Sequence, residues 1–398
     1  MRTLPPAGTE IPGFDLVKLL WGGAPARSQR PILDAVRSYL GVPFAAGISQ
    51  GRAALTVALE QMRTDPRKRE VLVPAYTCYT VPASVVRAGL VVRPIDIQPS
   101  TLDFDPEALE RVDCTEVLAV VSTSLYGIPG DLGRLEAFAA RKGIGMVDDA
   151  AQALGARAGD RPAGTFGQIG FFSLSRGKSI TTWEGGLLVS RDPEMGNRLD
   201  ARIESLPDVP PLERAKSLLG LFALSIFLHP ALYGLPSRVL PLGESTFDPG
   251  FPIHRYPAGL SRIGAWFVER IDRINAARRA RAEALQRLLP RDERLRIPQG
   301  LPGSRAIYVR FPILVTDEEL RRRIYRRLRE LGLGASLSYP EPVHRIPGIA
   351  PYLAAGVECR SAEGVARSIL TLPTHSLVTD RDLERMAEAI EACLKVRP

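Results

Sequence analysis

The chain alternates short, almost wholly apolar runs with longer stretches in which apolar residues recur every three or four positions. Val71–Tyr76, Leu90–Ile97, Val117–Leu125, Ile144–Val147, Ile169–Leu174 and Leu187–Ser190 are of the first kind and read as strands buried on both faces. Between them, Gly51–Met62, Thr77–Ala88 and Leu132–Lys142 carry helical spacing, as does Pro31–Tyr39 before them, with Gly41–Ala46 as a turn. Asp105 followed by Pro106 marks one further short helix, because an acidic cap and a proline in the first turn both suit a helix start. Repeated strand and helix predict an α/β fold, a doubly wound and mostly parallel sheet with right-handed crossovers.

The pattern changes towards both ends. Residues 1–30 carry proline and glycine and few periodic apolar positions, and read as an N-terminal arm that packs on the body or on a partner subunit. Residues 31–260 form the large domain, residues 261–294 a linking helix, and residues 295–398 a smaller C-terminal α+β domain. The link belongs to one long helix, Leu260–Leu289, with the stripe Ile263, Phe267, Ile271 and Ile274. In the last domain we expect a strand at Ala306–Ile313, an arginine-rich helix at Leu320–Leu331, a loop at Ser336–His344 and helices at Ser361–Ile369 and Asp380–Cys393. Residues 206–251 interrupt the large domain with an apolar run, Ser217–Pro230, too short and too broken by His229-Pro230 to span a bilayer. A packed helical insertion is the favoured reading. A cover over a site mouth, a subunit contact and membrane-surface contact through 214–238 are alternatives, the last disfavoured because Arg214, Lys216 and Arg238 define no clearly basic face.

Composition narrows the class. The formal net charge is +8 and the pI about 9.5, which raises the question of nucleic acid. The arginines of 278–287 and 321–329, however, lie in helical patterns with leucine and alanine between them, so solvated helix faces are expected and nucleic acid is not. A basic surface still favours small anionic ligands. Cys78, Cys114, Cys359 and Cys393 lack paired spacing, which argues for a reducing compartment and against a structural metal. The first ten residues have no apolar core of a signal peptide, so a cytoplasmic protein is expected.

The chemistry concentrates between Met146 and Ser190. A buried strand ending in Asp148 and Asp149 presents carboxylates at the sheet's carboxyl edge. Lys178, after the next strand and flanked by Ser and Gly, is a candidate amine nucleophile, with a solvated loop lysine as the alternative. Lysine and buried carboxylate together suit pyridoxal phosphate chemistry, in which the amine joins the cofactor and moves a proton while the carboxylate keeps the ring nitrogen protonated. Gly51 opens a helix whose exposed N–H groups suit a phosphate, although a glycine at an ordinary turn reads equally well.

Asp148-Asp-Ala-Ala-Gln152, Ser173-Leu-Ser-Arg-Gly-Lys178 and Glu184-Gly-Gly186 resemble the sugar aminotransferase family of fold type I pyridoxal phosphate enzymes. Ser49-Gln-Gly-Arg-Ala-Ala-Leu55, Val73-Pro-Ala-Tyr-Thr77, Tyr126-Gly-Ile-Pro-Gly-Asp131 and Ser368-Ile-Leu-Thr-Leu-Pro-Thr-His375 extend the resemblance over most of the chain. It implies that Lys178 joins the cofactor, Asp149 faces its ring nitrogen, Gln152 lies beside its phenolic oxygen and Ser173 binds its phosphate. Arg52 stands where the family usually has threonine beside the glycine; it is a cofactor-phosphate candidate together with His254 and Arg255, of which the 254–255 pair is favoured because the second position of a helix often faces outward. Cys78 matches the position of the aromatic that covers the ring, with Tyr79 one residue late. His254 and Arg255 stand near the family's asparagine-tyrosine-arginine run, which reaches the neighbouring subunit's phosphate, and Tyr339 and His344 are substrate-binding candidates.

The implied function is transfer of an amino group, from glutamate, to a keto sugar carried on a nucleotide, in a homodimer with shared active sites serving polysaccharide biosynthesis. Related dehydratases carry histidine where this chain has Lys178, which argues against dehydration. A polyol or lipid-linked keto substrate is the alternative within enzymes. A non-catalytic protein on this fold is the alternative outside them.

Overall fold

A computed structural model describes residues 2–11, 13–21, 28–234 and 246–396. Arg238, one of the basic flanks named above, lies outside the described residues. The strands are β1 Phe44–Ile48, β2 Glu70–Pro74, β3 Val91–Ile95, β4 Val117–Thr123, β5 Gly145–Asp149, β6 Arg157–Ala158, β7 Arg161–Pro162, β8 Ile169–Ser173, β9 Gly186–Ser190, β10 Leu295–Arg296, β11 Arg310–Val315 and β12 Ile369–Pro373.

Seven of them form one sheet in the order β1-β9-β8-β5-β4-β2-β3. Pairing is parallel from β3 through β2, β4, β5 and β8, while β9 runs antiparallel to both its neighbours. Alternate residues of a strand point to opposite faces, and both faces here are apolar. Leu72, Val120, Met146 and Phe172 join one core cluster, and Val71, Val73, Val121, Val147 and Phe171 join the other. Each such side chain, fully buried, contributes about 1.5–3 kcal/mol. That two-sided burial is why the strands read as unbroken apolar runs.

Local signals set the crossovers. The helix Arg30–Leu40 has proline in its first turn, buries Ile32, Val36 and Leu40, and ends at Gly41 in a left-handed conformation. Asp105 caps its short helix by accepting from the amides of Glu107 and Ala108. The polar stretch after Ser190, which shows no clear periodicity, forms a helix, Pro193–Glu204, capped by Asp192 and buried through Met195, Leu199 and Ile203.

Around the antiparallel sheet β10-β11-β12 the C-terminal region packs helices Glu318–Glu330, Arg360–Ser368 and Asp380–Lys395. The strand expected at 306–313 is shifted to Arg310–Val315. The linking helix is broken in two, Ser261–Val268 and Ile271–Leu288. At the break the Arg270 guanidinium lies over Trp266 and donates to that residue's carbonyl at 3.0 Å, so a side chain takes the place of the next helical N–H. Two arginines expected on solvated faces point inward instead. Arg278 is 1% exposed and donates to the carbonyls of Gly8 and Val309 and to Thr9 Oγ1. Arg321 is buried and donates to the carbonyls of Ala366 and Ile369 at the end of a neighbouring helix.

The arm lies on the body of its own chain. Arg2 pairs with Asp382, Leu4 enters the C-terminal core and the His375 ring meets the Pro5 carbonyl at 2.8 Å. Within 206–251 the helix Pro211–Phe227 packs Ser217 and Leu221 inward, and Gly220 lies so close to the Trp183 ring that a Cβ there would sit 2.4 Å from it. Its opposite face carries Leu212, Leu219 and Ile226, which are 67%, 72% and 54% exposed. Among the described residues no helix is long and apolar enough to cross a membrane.

Candidate active site

The carboxyl ends of β4, β5 and β8 meet the start of the helix Gly51–Met62. Thr123 is in register with Asp149, and Asp149 with Phe171, so the last residue of β5 lies beside the end of β8. A Cβ on Gly51 would lie 2.8 Å from Ser173 Cβ, so only glycine lets the helix start sit directly on the end of β8. Ser173 Oγ is 2.9 Å from Ser175 Oγ. Backbone N–H groups and two hydroxyls thus form one small polar cradle.

The two carboxylates at the end of β5 have different surroundings. Asp148 is fully buried and already accepts from Ser122 Oγ at 3.0 Å, Gly164 N at 2.6 Å and Phe166 N at 3.2 Å. It braces the turn after β7. Among the described residues Asp149 accepts only from the Ala151 amide, at 2.9 Å, and keeps acceptor capacity on the side of Lys178. Burial raises the Asp149 carboxyl to about 7, with the amide and Lys178 opposing the rise and Asp148 adding to it. Asp148 is raised to about 6 by burial alone, against its hydrogen bonds.

Lys178 sits on the loop between β8 and β9, after Gly177 at φ +74°, where a residue with a Cβ would be strained. Thr9 of the arm donates to the carbonyls of Lys178 and Ser179, at 3.0 and 2.9 Å, and itself accepts from Arg278. The backbone at Lys178 is therefore anchored by the first residues of the chain. Burial lowers the proton affinity of the Lys178 amine, Cys78 and Asp149 oppose that, and Arg310 adds to it. An amine nearer neutrality is the better nucleophile.

Cys78 and Tyr79 part company. Cys78 is half-buried and accepts from Thr80 Oγ1 at 3.1 Å, on the side of Lys178. Tyr79 is turned to the C-terminal region, where its hydroxyl accepts the Glu341 amide at 2.8 Å and its ring lies 6.0 Å from that of Tyr339. Gln152 bridges both regions, accepting from the Tyr126 amide and donating to the Tyr339 hydroxyl at 3.3 Å. Tyr339, at φ +45°, reaches the site, and burial first, then Cys78 and Tyr126, hold its hydroxyl well above the usual phenol range. His344 does not join this group. Its Nε2 meets Glu363 at 3.0 Å, in a cluster with Arg345.

Arg52 does not point outward, contrary to its expected helix position. Its guanidinium lies 4.5 Å over the Phe251 ring, bonds Gln50 and stands 4.0 Å from Asp248. Burial lowers its proton affinity, against Asp248, Glu184 and Cys78. Arg255 pairs with Ile48 across the edge of β1, and its Nε donates to Asp208 at 3.0 Å. The His254 amide donates to Ser49 Oγ. Arg52, one residue after Gly51 on the helix that opens the cradle, is therefore the phosphate cation we favour within one protomer. Arg52→Ala is expected to weaken cofactor affinity about ten- to a hundredfold, the scale of one charged hydrogen bond, and Arg255→Ala to change it less than about twofold, since its charge is taken by Asp208. Fluorescence titration of the apoprotein checks the order. A larger loss for Arg255→Ala, or for His254→Ala, would return the phosphate to the 254–255 pair.

Sequence reasoning missed Arg310, Thr9 and Arg278. Only Arg310 left a signal, a lone charge opening an otherwise apolar strand. Among the described residues no group of three His, Cys, Asp or Glu side chains is placed to hold a metal ion.

An amine of lowered proton affinity, a carboxyl raised towards neutrality with acceptor capacity to spare, and a glycine-serine cradle fit pyridoxal phosphate. Lys178, Asp149, Gly51 and Ser173 would hold it, with Gln152 and Cys78 beside its ring. Sheet and site together define a fold type I pyridoxal phosphate enzyme with a smaller C-terminal α+β region. The chain belongs to the DegT/DnrJ/EryC1/StrS aminotransferase family, which it matches over residues 31–203 and 260–391.

It is 24% identical, over 92% of its length and 88% of the relative's, to UDP-N-acetyl-3-dehydro-alpha-D-glucosamine 3-aminotransferase of Acidithiobacillus ferrooxidans. It is 38% identical to the L-glutamine:2-deoxy-scyllo-inosose aminotransferase of Micromonospora echinospora over 152 residues, which span 38% of this chain and only 36% of that protein. In fold it is similar to Helicobacter pylori PseC, an aminotransferase involved in the biosynthesis of pseudoaminic acid, with a TM-score of 0.80 over 98% of this chain and 99% of that one, at 16% identity.

Proposed function

We propose that this protein transfers the amino group of glutamate to the ketone carbon of a sugar carried on a nucleotide, in the cytoplasm, as a homodimer serving polysaccharide biosynthesis. The observation that carries the reading is Lys178, an amine of lowered proton affinity held by its backbone beside Asp149. Bound there, pyridoxal phosphate supplies an electron sink next to the donor's α-carbon. With the cofactor held there, Lys178 Nζ would be the base that takes the donor's α-proton and the acid that gives it up again. Asp149 holds the proton on the ring nitrogen. Gln152 and Tyr339, tied at 3.3 Å, join the large and C-terminal regions beside the site. The full-length similarity to a nucleotide-sugar aminotransferase supports the acceptor class.

A second reading has its own observation. The higher identity over the matched stretch is to an enzyme whose name gives a cyclic polyol ketone as acceptor and glutamine as donor. One screen separates the two. Holoenzyme incubated with glutamate and a panel of UDP-, GDP- and dTDP-linked keto sugars is expected to release 2-oxoglutarate with one of them. Turnover with 2-deoxy-scyllo-inosose and glutamine, and with none of the nucleotides, would replace the first reading by the second. The exposed row Leu212, Leu219 and Ile226 supports an associated state rather than a lone protomer.

A further inference from the structure

We infer that Arg310 receives the carboxylate of the amino donor, and so restricts the donor half of the reaction to α-amino acids. This rests on the transamination reading above and names the group that reads its first substrate.

Arg310 opens β11, and its Nη1 donates to Ser338 Oγ at 3.0 Å and Ser336 Oγ at 3.4 Å. Both partners are neutral. Among the described residues no carboxylate pairs with it. A guanidinium has five N–H donors in a rigid fork that matches a carboxylate, so most of its capacity is unspent. A half-buried charge with only hydroxyl partners is costly unless something else supplies the opposite charge. The other inward arginines differ, because Arg278 and Arg321 are satisfied by backbone carbonyls.

Position completes the argument. Arg310 Nη2 is 3.9 Å from where a Cβ on Gly177 would be, and Gly177 precedes Lys178. The charge of Arg310 is felt by Lys178, Tyr126 and Tyr339, so it faces the reacting amine and not solvent alone. In an α-amino acid the carboxylate is bonded to the carbon that bears the transferred nitrogen. A receptor for it must therefore adjoin the lysine that handles that carbon's proton, and Arg310 does. The diphosphate of a nucleotide sugar is separated from a ring ketone by several bonds and would reach further out. A carboxylate on the acceptor sugar is the other source of the same chemistry, and the two half-reactions distinguish them.

The test uses Arg310→Gln and Arg310→Lys as holoenzymes, with L-glutamate and 4-aminobutyrate, which lacks the α-carboxylate, as donors. Conversion of the cofactor to its amine form is followed by absorbance in single turnovers. Arg310→Gln is expected to raise the half-saturating L-glutamate concentration about ten- to a hundredfold, with Arg310→Lys intermediate, and to narrow the preference for L-glutamate over 4-aminobutyrate by a similar factor. The cofactor dissociation constant and the acceptor half-reaction, started from pyridoxamine phosphate-loaded protein, are expected to stay within about twofold, and the melting temperature within a few degrees. Slowing of the acceptor half-reaction as large as that of the donor half, or a matching loss of cofactor affinity, overturns the inference by assigning Arg310 to acceptor or cofactor. If Arg310→Gln does not fold, Arg310→Lys and Ser338→Ala decide, each expected to weaken L-glutamate selectively and overturning the inference if neither does. A reactive wild type with an indifferent Arg310→Gln removes this inference alone. A wild type inert to every amino acid removes the transamination reading with it.

Discussion

Lys178→Ala is expected to fold, to keep a weaker affinity for pyridoxal phosphate and to turn over at least about 10⁴-fold more slowly than the wild type, because it loses both the amine that joins the cofactor and the base that moves the proton. No other lysine is placed to substitute. Lys68 donates to the Cys114 carbonyl, Lys142 to that of Glu110, Lys216 and Lys395 pair with Glu213 and Glu391, and Lys18 is exposed on the arm. Steady-state release of 2-oxoglutarate checks it. Retained turnover would show that the base lies elsewhere.

Asp149→Asn is expected to have two effects of opposite benefit. With cofactor, the rate falls by about 10²-fold or more, since an amide cannot hold the ring nitrogen protonated. Without cofactor, the variant is more stable than the wild type at high pH. Burial raises the Asp149 carboxyl from 3.8 to about 7, so the folded apoprotein retains across that interval a proton that the unfolded chain releases. Stability from this group is fully present below the unfolded value and is lost as pH rises through about 7, by roughly 4 kcal/mol in total. The asparagine variant lacks that slope. Asp148, raised to about 6, contributes a smaller loss of the same sign in both proteins. Urea unfolding of the two apoproteins is expected to coincide near pH 4, to diverge as pH rises from about 4 to about 7 and to stay apart above that, with the variant higher. Parallel curves at all pH values would mean that Asp149 is not buried as described.

The central sheet was legible because its strands are buried on both faces and appear as apolar runs. Lys178 and Asp149 stood out as candidates because each lies within a few residues of the end of such a run. The resemblance alone chose Asp149 over Asp148; the physical reason is three donors that reach Asp148 from Ser122, Gly164 and Phe166, two of them backbone amides that no side-chain pattern encodes. The inward turn of Arg278 was hidden for a similar reason. Its partners are the arm and the carbonyl of Val309, distant in sequence, so a helix rich in arginine reads as solvated when one member is buried. The break at Arg270 depends on a stacking contact with Trp266 that local propensity does not register. Arg52 was misplaced because helix position alone set its direction, whereas Phe251, from a segment far along the chain, draws it inward.

The central claim, that Lys178 and the end of β5 hold pyridoxal phosphate, is tested most directly by trapping. Purified protein is incubated with pyridoxal phosphate, reduced with borohydride, digested and its peptides weighed. A phosphopyridoxyl group on the peptide that contains Lys178, at one per chain and absent from Lys178→Ala, is the predicted result. Modification spread over several lysines, or none at Lys178, would contradict the account.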